Sequence, residues 1–574
     1  MKSGELAAPG LRLERNVEAQ MRDGTILRSD IYSPVGEDKC PVLLMRIPYN
    51  KTIAQSIVYL HPTWYARQGF QVIVQDTRGR YASDGIFEPY RHEATDGYDS
   101  VEWAASLDGN NGRVGMYGFS YGGATQLLAA AERPPALHCC APGFTGSDFY
   151  NHWTYDNGAL NLAFILSWTV GLLAPQDAVR ADALDLAERL VRAAANLPAL
   201  YSQRPLGDFP LLAGEGVAQY FFDWLGHDVR DEYWQAVGLE ERYDAIETPC
   251  LHFGGWYDSF SVGTVQNFQR LSERERGAGL SDRLIMGPWT HQSWGPVVNG
   301  HNFGQAARNI INEQQVAWFK YWLLGDGKLA GAPVQVFMGG CDRWQELESW
   351  PPDDRRTLTL YFHSNGDANS ISGSGQLDQS PPQAESADIY VFDPSNPVPS
   401  LGGRSCCNGS VAPMGPACQI GVELRNDVLV YTSAELTEPL RLVGAVEAVL
   451  FACSSTVDTD WAVRITDVDA DGSCSLNVCD GFLRAKSRNG LESHELLEPG
   501  KVYEYHIELS PACWEFARGH RVRVDVTSSD YPSHDVNPNT GQRTVDVGPL
   551  DGVPSVQTVL HDSEHASRIV LAHL

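Results

Sequence analysis

The sequence is poor in positive charge and has no long uninterrupted apolar run. Its 574 residues include 43 Lys and Arg against 72 Asp and Glu, a formal net charge of −29. A field of that sign repels phosphate backbones, which argues against nucleic-acid binding. The apolar patch at residues 160–173 is broken by polar residues and is shorter than the roughly 18 apolar residues that span a bilayer. We expect no membrane partner and a buried helix at this position.

The given residues show neither zinc-type cysteine spacing nor the pattern of a secretory leader. The chain has 12 cysteines, including adjacent pairs at 139–140 and 406–407, but no paired C-x-x-C spacing. The first residues lack the apolar stretch of a signal peptide. We therefore expect a cytoplasmic protein whose thiols are reduced and serve as small apolar core residues, with no metal or cofactor. The oligomeric state is left open, with a homodimer as one option.

The pattern of strands and helices divides the chain into four segments. Residues 1–145 alternate buried apolar runs with helix-like stretches, which is typical of a parallel sheet with crossover helices. Strand-like runs vanish in residues 146–244, where alanine-rich helical spacing predicts an all-helical insertion. Strand signals return in residues 245–352 and complete the first sheet. Residues 353–574 contain many β-rich runs separated by turns, which predicts a β-sandwich or jelly roll.

The clearest chemical signal is the sequence GFSYG at residues 118–122, a G-x-S-x-G pattern centred on Ser120. A short strand candidate precedes it and an alanine-rich helix former follows. A strand, a sharp turn and a helix are what a nucleophile elbow requires, and the glycines permit close backbone approach. The helix N-terminus also offers amide groups to a developing oxyanion. The sequence predicts Ser120 as a nucleophile.

A serine nucleophile needs a histidine base, and the base needs a carboxylate to orient it. Strand candidates that end in glycine turns precede both Asp258 and His291, so both residues fall on loops at the carboxyl ends of strands. The order Ser, Asp, His is that of α/β-hydrolases. His252 lies inside a strand run and is predicted to be core. Asp76 precedes Ser120 and is predicted to pair with the arginine two residues later in a structural turn.

Taken together, these motifs are characteristic of one family. The chain resembles the cocaine-esterase-like (CocE/NonD) acyl hydrolases, which are relatives of the X-prolyl dipeptidyl-peptidases. Matching segments extend from the first hairpin to near the C-terminus, and include RIPY at 46–49, GWYD at 255–258, GPWTH at 287–291 and VDTDW at 457–461. The resemblance implies an α/β-hydrolase domain, an inserted helical cap and a C-terminal β jelly-roll domain, in agreement with the four segments.

The resemblance also implies an oxyanion hole and a pocket. The hole would combine the backbone N–H of Tyr121 with the phenol of Tyr49, which follows a strand and can overhang the nucleophile. Cys406 and Cys407 stand where relatives present apolar side chains, so the family's substrate preferences, cocaine included, are not carried over. No histidine neighbours these cysteines in sequence, and no catalytic role is expected for them. The predicted substrate-binding residues are Trp153, Trp168, Phe119, Phe260 and Cys407.

The sequence therefore predicts a serine carboxylesterase that forms an acyl-enzyme with a small-molecule ester. One alternative is an amide or peptide hydrolase of the X-prolyl dipeptidyl-peptidase or β-lactam acylase type. Such an enzyme needs a carboxylate for the substrate ammonium, for which Asp148, Asp156 and Asp177 are candidates. An acyltransferase has the same triad. A non-catalytic carbohydrate-binding protein is the alternative from a different class, because jelly rolls also serve lectins.

Overall fold

Two large β-sheets dominate the molecule, each with eleven strands in the described part of the chain. The computed structural model describes residues 5–36, 39–53, 56–274, 282–407, 414–548 and 550–574. The first part of the chain forms strands β1 (Glu5–Ala8), β2 (Leu11–Gln20), β3 (Ile26–Pro34), β4 (Cys40–Ile47), β5 (Gln71–Asp76), β6 (Asn110–Phe119) and β7 (Leu137–Gly143), and helices α1 (Pro62–Ala66), α2 (Glu93–Ala105) and α3 (Tyr121–Ala131).

The next segment is mainly helical. It contains strands β8 (Tyr155–Asp156) and β9 (Ala159–Leu160), helices α4 (Leu162–Trp168), α5 (Ala174–Arg180), α6 (Leu184–Ala194), α7 (Pro198–Tyr201), α8 (Gln219–Gly226) and α9 (Glu232–Gln235), and a π-helical turn at Thr169–Leu173. The prediction of an all-helical insertion was wrong at β8 and β9, which pair antiparallel. Asn157 and Gly158 join them and both have positive φ. An Asn-Gly dipeptide favours this two-residue hairpin turn.

One stretch of the described helices, Leu162–Arg180, is long and apolar enough to cross a membrane by length and composition, with a mean hydropathy of 1.4. However, 67% of it is buried inside the protein. The core helix of a soluble domain passes the same test, and the burial matches the buried helix expected at residues 160–173.

The chain then returns to the first sheet. It forms β10 (Leu251–Gly255), α10 (Ser261–Ser272), β11 (Arg283–Gly287), β12 (Val297–Val298), β13 (His301–Asn302), α11 (Ile311–Phe319), β14 (Val334–Met338) and β15 (Arg343–Leu347). The sheet order is β1-β2-β3-β5-β4-β6-β7-β10-β11-β14-β15, and the strands from β5 to β14 in this order run parallel. Every residue of β4 and β5 is buried, which explains their continuous apolar sequences. The loops after β4, β6, β10 and β11 meet at one edge.

The C-terminal region is rich in β-structure. Its elements are β16 (Arg356–His363), β17 (Gln376–Asp378), β18 (Asp388–Phe392), α12 (Ile420–Glu423), β19 (Leu429–Ser433), β20 (Leu440–Ser454), β21 (Asp460–Val468), β22 (Ser475–Arg484), β23 (Tyr503–Phe516), β24 (Arg521–Thr527), β25 (Ser555–Leu560) and β26 (Arg568–His573). The two longest strands, β20 and β23, pair antiparallel. Alternating burial along β18 is typical of a strand with one face in the core.

The C-terminal region docks directly on the first sheet. The backbone N–H of Gly339, just after β14, donates to the carbonyl of Cys513 in β23 at 3.0 Å. A Cβ at Gly339 would lie 2.3 Å from the Trp514 ring, so a glycine is needed at this position to leave room for that ring. The rings of Trp256 and Trp350, both in residues 245–352, are 5.4 Å apart and share one core cluster with Trp514. These contacts hold the two sheets in one arrangement.

Candidate active site

Ser120 occupies the sharp turn between β6 and α3. Its backbone has φ 60° and ψ −129°, a conformation that a residue with a Cβ rarely adopts. A Cβ at Gly118 would lie 2.8 Å from the Gly122 carbonyl oxygen, and one at Gly123 would lie 2.7 Å from Thr145. The glycines around the serine are therefore required by close packing, and they let the strained turn present Ser120 at the carboxyl edge of the sheet.

Asp258 and His291 form a buried pair at the same edge. His291 Nδ1 lies 2.8 Å from Asp258 Oδ1, and the exposed fractions of the two residues are 1% and 0%. Asp258 follows β10 and His291 follows β11, and these strands are neighbours in the parallel sheet. A carboxylate on Nδ1 fixes the ring orientation and leaves Nε2 as the nitrogen that can act as a base.

Aromatic rings surround His291. Phe119 and Phe260 have ring centroids 5.4 Å and 5.1 Å from the imidazole. Among the described residues no hydrogen bond joins Ser120 to His291, and the Ser120 hydroxyl instead interacts with the Tyr49 phenol. Contacts between a serine and its base are often long before substrate binds. The structure thus brings Ser120, His291 and Asp258 to one edge, with the last two already in contact.

Tyr49 follows β4, the strand next to β6. Its phenol oxygen accepts a hydrogen bond from Trp168 Nε1 at 3.0 Å, and burial raises the pKa of Tyr49 well above its ordinary value. The phenol therefore remains a neutral donor near Ser120. Tyr121 is the first residue of α3, so its backbone N–H is one of the helix's unpaired amino-terminal donors. Its own phenol donates to Glu93 at 2.9 Å, which fixes the side chain away from this amide.

Comparisons with known proteins identify the family of this chain. Residues 23–293 match the model of the X-Pro dipeptidyl-peptidase S15 family, and residues 322–570 match that of the X-Pro dipeptidyl-peptidase C-terminal non-catalytic domain. Cocaine esterase of Rhodococcus sp. (strain MB1 Bresler) is 35% identical over 570 residues, which cover 97% of each chain. The chain belongs to the cocaine-esterase-like family. It is a serine ester hydrolase related to the X-Pro dipeptidyl-peptidases, as its motifs predicted.

Solved structures show the same fold over the whole chain. An α-amino acid ester hydrolase aligns with a TM-score of 0.84 at 24% identity, covering 100% of this chain and 98% of that one. An aminopeptidase from a marine sediment Thaumarchaeota archaeon aligns with a TM-score of 0.81 at 23% identity, covering 100% and 99%. The predicted combination of an N-terminal α/β-hydrolase domain and a C-terminal β-rich domain is confirmed.

Three of the four predicted pocket aromatics, Trp153, Trp168 and Phe260, lie in one buried cluster, whereas Phe119 packs on Tyr59 and Trp294. Trp153 stacks on Phe260 with ring centroids 4.1 Å apart, and Trp168 stacks on Trp224 at 5.4 Å. Trp153 and Trp168 are themselves 5.9 Å apart. The cluster connects the helical segment to the loop that carries Asp258. Sequence analysis did not single out Trp224, because an aromatic residue on a helix gives no signal of which ring it will meet.

Cys406 and Cys407 are joined by a disulfide bond, so the expectation that all thiols are reduced was wrong for this pair. The residues are adjacent, and the positive φ of Cys407 turns the backbone between them. The two sulfurs and a ring nitrogen of His291 all lie within 4.8 Å of one another. Although no histidine neighbours the pair in sequence, the fold brings His291 to it. The other ten cysteines, all within the described residues, form no disulfide bond.

The carboxylates considered as receptors for a substrate ammonium are already paired. Each has a basic partner: Asp148 contacts Arg230, Asp156 contacts Arg404 at 3.2 Å, and Asp177 contacts Arg80 at 2.6 Å. Asp156 also lies 2.9 Å from His152, and its pKa is well below the ordinary value although burial opposes that shift. Their negative charges are therefore compensated within the protein.

Asp76, the rival acid, has a structural role with a different partner from the one predicted. Its carboxylate lies 2.8 Å from Lys51 Nζ and also accepts the Lys51 backbone N–H at 2.7 Å. The predicted partner, Arg78, instead pairs with Asp96 at 2.6 Å. Strand β5 ends at Asp76 and the chain turns at Arg78, so the two side chains reach partners on different elements. His252 is buried in β10, as predicted.

Proposed function

We propose that this enzyme cleaves small carboxylic esters through an acyl-enzyme intermediate. Ser120 attacks the substrate carbonyl while His291 Nε2 accepts the hydroxyl proton. His291 then protonates the leaving alcohol and later activates the water that releases the acid. The observation that carries this proposal is the buried 2.8 Å contact between His291 Nδ1 and Asp258 at the edge where the strained turn presents Ser120.

The oxyanion of each tetrahedral intermediate is stabilised by two donors in this mechanism. One is the Tyr49 phenol, which lies beside the Ser120 hydroxyl and is oriented by Trp168. The other is the Tyr121 backbone N–H at the start of α3. Both donors are held by the fold before the reaction, so they stabilise developing charge with little reorganisation.

The substrate pocket is assigned to three parts of the chain. We infer that residues 146–244 act as a helical cap and that residues 353–574 form a jelly roll whose loop at 402–407 walls the site. In support, the backbone of Ser405 pairs with that of Asp258 in a parallel bridge. The cap brings its aromatic cluster to the same loop. The residues assigned to the pocket are Trp153, Trp168, Phe119, Phe260 and Cys407.

Ester chemistry is favoured over the removal of amino acids or dipeptides. A substrate that carries a free ammonium group needs an uncompensated carboxylate in the pocket, because burying the cation alone is costly. The three cap carboxylates considered for that role are paired with arginines. Displacing such an arginine would leave a buried charge without a partner. Acyl transfer to an alcohol other than water uses the same groups and remains the second candidate.

The decisive experiment combines covalent labelling with substrate profiling. We expect a fluorophosphonate probe to label the wild type and not Ser120→Ala, and kcat on a p-nitrophenyl ester to fall by about 10⁶ in this variant. Ser106→Ala, at an exposed position after α2, is the matched control and should be labelled normally. Residual activity above about a hundredth of wild type in Ser120→Ala would refute the assignment. Faster turnover of aminoacyl p-nitroanilides than of esters would refute the ester preference.

A further inference from the structure

The Cys406–Cys407 pair lies against His291 but takes no part in the proton and acyl transfers proposed above. Cys406 is buried and Cys407 is partly buried, and both follow Ser405, whose backbone pairs with that of Asp258. The loop that carries the sulfurs is therefore attached to the loop that carries the acid. The two sulfurs and one nitrogen of His291 lie within 4.8 Å of one another.

We propose that Cys406 and Cys407, once reduced to thiols, complete with His291 a three-ligand site for a thiophilic divalent cation such as Zn²⁺ or Cd²⁺, which reversibly blocks hydrolysis. Two thiolates and an imidazole are a known protein ligand set for zinc, with the fourth position left open. In the disulfide form both sulfurs are bonded to each other and this set is absent. The inference rests on the proposed role of His291 as the base.

The distances suit a tetrahedral ion. Metal–sulfur bonds of about 2.3 Å and metal–nitrogen bonds of about 2.0–2.1 Å place ligand atoms roughly 3.6–3.8 Å apart. The His291 nitrogen needs to approach the sulfurs by no more than about 1 Å from the 4.8 Å limit. The two sulfurs, which are bonded to each other in the disulfide, have to move apart after reduction. Asp258 already holds Nδ1 of His291, and a carboxylate on the far nitrogen is the usual way in which a metal-binding histidine is oriented.

The charges around the pair also permit a cation. The nearest basic residue in sequence, Arg404, is bound to Asp156 at 3.2 Å and to Asp480 at 2.9 Å, so its charge is neutralised. Binding converts two thiols to thiolates, and their protons pass to solvent. The positive charge of the ion is thereby balanced by the two sulfurs themselves.

Reduction of the disulfide needs one two-electron reductant, and metal binding needs none. A phosphine reductant and water convert the disulfide to two thiols, while the phosphine becomes a phosphine oxide. The S–S bond breaks, and the two thiols receive the two electrons and two protons. The cation then occupies the lone pair of His291 Nε2, so that nitrogen cannot accept the Ser120 proton. A chelator removes the ion and restores the base without any further redox step.

The test uses the full-length enzyme in both redox forms. Phosphine-reduced, desalted protein and untreated protein are each titrated with Cd²⁺, while the Cd²⁺–thiolate charge-transfer absorption and the rate on a p-nitrophenyl ester are recorded. We expect the reduced enzyme to bind Cd²⁺ at this pair and to lose at least tenfold in rate, with full recovery in EDTA. The disulfide form should keep its rate at the same Cd²⁺ concentration.

Variants separate this pair from the other thiols. The double change Cys406→Ser with Cys407→Ser should remove the inhibition, judged by the ratio of rates with and without Cd²⁺ in the same protein. Cys418 and Cys474 form a matched control, since they are a second neighbouring thiol pair in the C-terminal region. Changing both of these to serine should leave the inhibition intact. If the double variant at 406 and 407 does not fold, each single variant is measured in its place.

The outcomes are distinguishable. Equal inhibition with and without the two cysteines, or no inhibition of the reduced enzyme, would overturn the proposal. Thiolate absorption that depends on the pair but leaves the rate unchanged would also overturn it, because the ion would then not block the base. Failure of the proposed ester chemistry would appear separately as absence of hydrolysis and labelling in the metal-free enzyme. The absorption titration would still report the metal site in that case.

Discussion

Replacing Tyr49 by phenylalanine is the sharpest test of the proposed oxyanion hole. The change removes one oxygen atom and keeps the ring, so the packing after β4 is preserved. Two interactions are lost: the contact with the Ser120 hydroxyl and the 3.0 Å hydrogen bond from Trp168 Nε1. The first loss should appear in catalysis and the second in stability.

The two effects have different sizes. Removing one oxyanion-hole donor costs about 10²–10³ in kcat, which corresponds to roughly 2.7–4 kcal/mol of transition-state stabilisation. The Trp168 indole is 1% exposed, so losing its acceptor leaves a buried N–H unpaired at a cost of about 1–3 kcal/mol in folding free energy. Because burial raises the pKa of Tyr49, its phenol stays protonated across neutral and mildly alkaline pH. The ratio of kcat between the wild type and Tyr49→Phe should therefore stay constant over that pH range.

The assay is steady-state hydrolysis of a p-nitrophenyl ester, with thermal unfolding measured on the same samples. Tyr49→Phe should lower kcat by the stated factor with little change in KM, since the donor acts on the oxyanion more than on the ground-state carbonyl. Trp168→Phe is the matched variant. It removes the indole N–H but keeps the Tyr49 hydroxyl, so kcat should fall less than in Tyr49→Phe.

Two results would refute this reasoning. An unchanged kcat in Tyr49→Phe would mean that the tyrosine packs in this position but does not stabilise the oxyanion. The second result is a fall in kcat in Trp168→Phe as large as that in Tyr49→Phe, with no further fall in the double variant. It would mean that the phenol acts only when the indole holds it. In that case Trp168 would be a positioning residue as important as the donor itself.

Three further predictions follow from other contacts. Asp258→Asn should lower kcat by about 10⁴ while the fold is kept, because the imidazole loses its orienting charge, and a smaller fall than tenfold would contradict the triad. His561→Gln should destabilise the C-terminal region by about 3–5 kcal/mol, since it breaks a fully buried 2.8 Å pair with Asp388. The pKa of His561 is raised and that of Asp388 is lowered by their contact. The difference in melting temperature from the wild type should therefore be largest between about pH 4 and 6.5. It should shrink as the pH rises through the raised histidine pKa, and also as the pH falls through the lowered aspartate pKa. A difference that grows with alkalinity would contradict this. A chain ending at Asp354 should be insoluble or inactive, because the surface around Gly339 that packs on Trp514 would be exposed; a soluble, fully active fragment would show that the C-terminal region is dispensable.

Local features of this protein were predictable from sequence because they depend on neighbouring residues. Strand, turn and helix around Ser120 follow from apolar runs, glycines and a helix-forming stretch that are adjacent in the chain. Asp258 and His291 were identified because each directly follows a strand, and parallel strands end at the same edge of a sheet. The short hairpin β8–β9 was missed although its Asn157-Gly158 turn was present, because two-residue strands are too short to show alternation.

The sequence by itself thus determined the fold class and the family, and it supplied the proposed triad residues, since periodicity and short motifs carry that information. Only the tertiary structure decided which distant side chains meet. Trp168 reaches Tyr49 across 119 positions, Asp76 pairs with Lys51 rather than with the arginine two residues later, and the Cys406–Cys407 pair lies against His291. These contacts result from the packing of separate elements, and their energies depend on burial and partner geometry that no local pattern encodes.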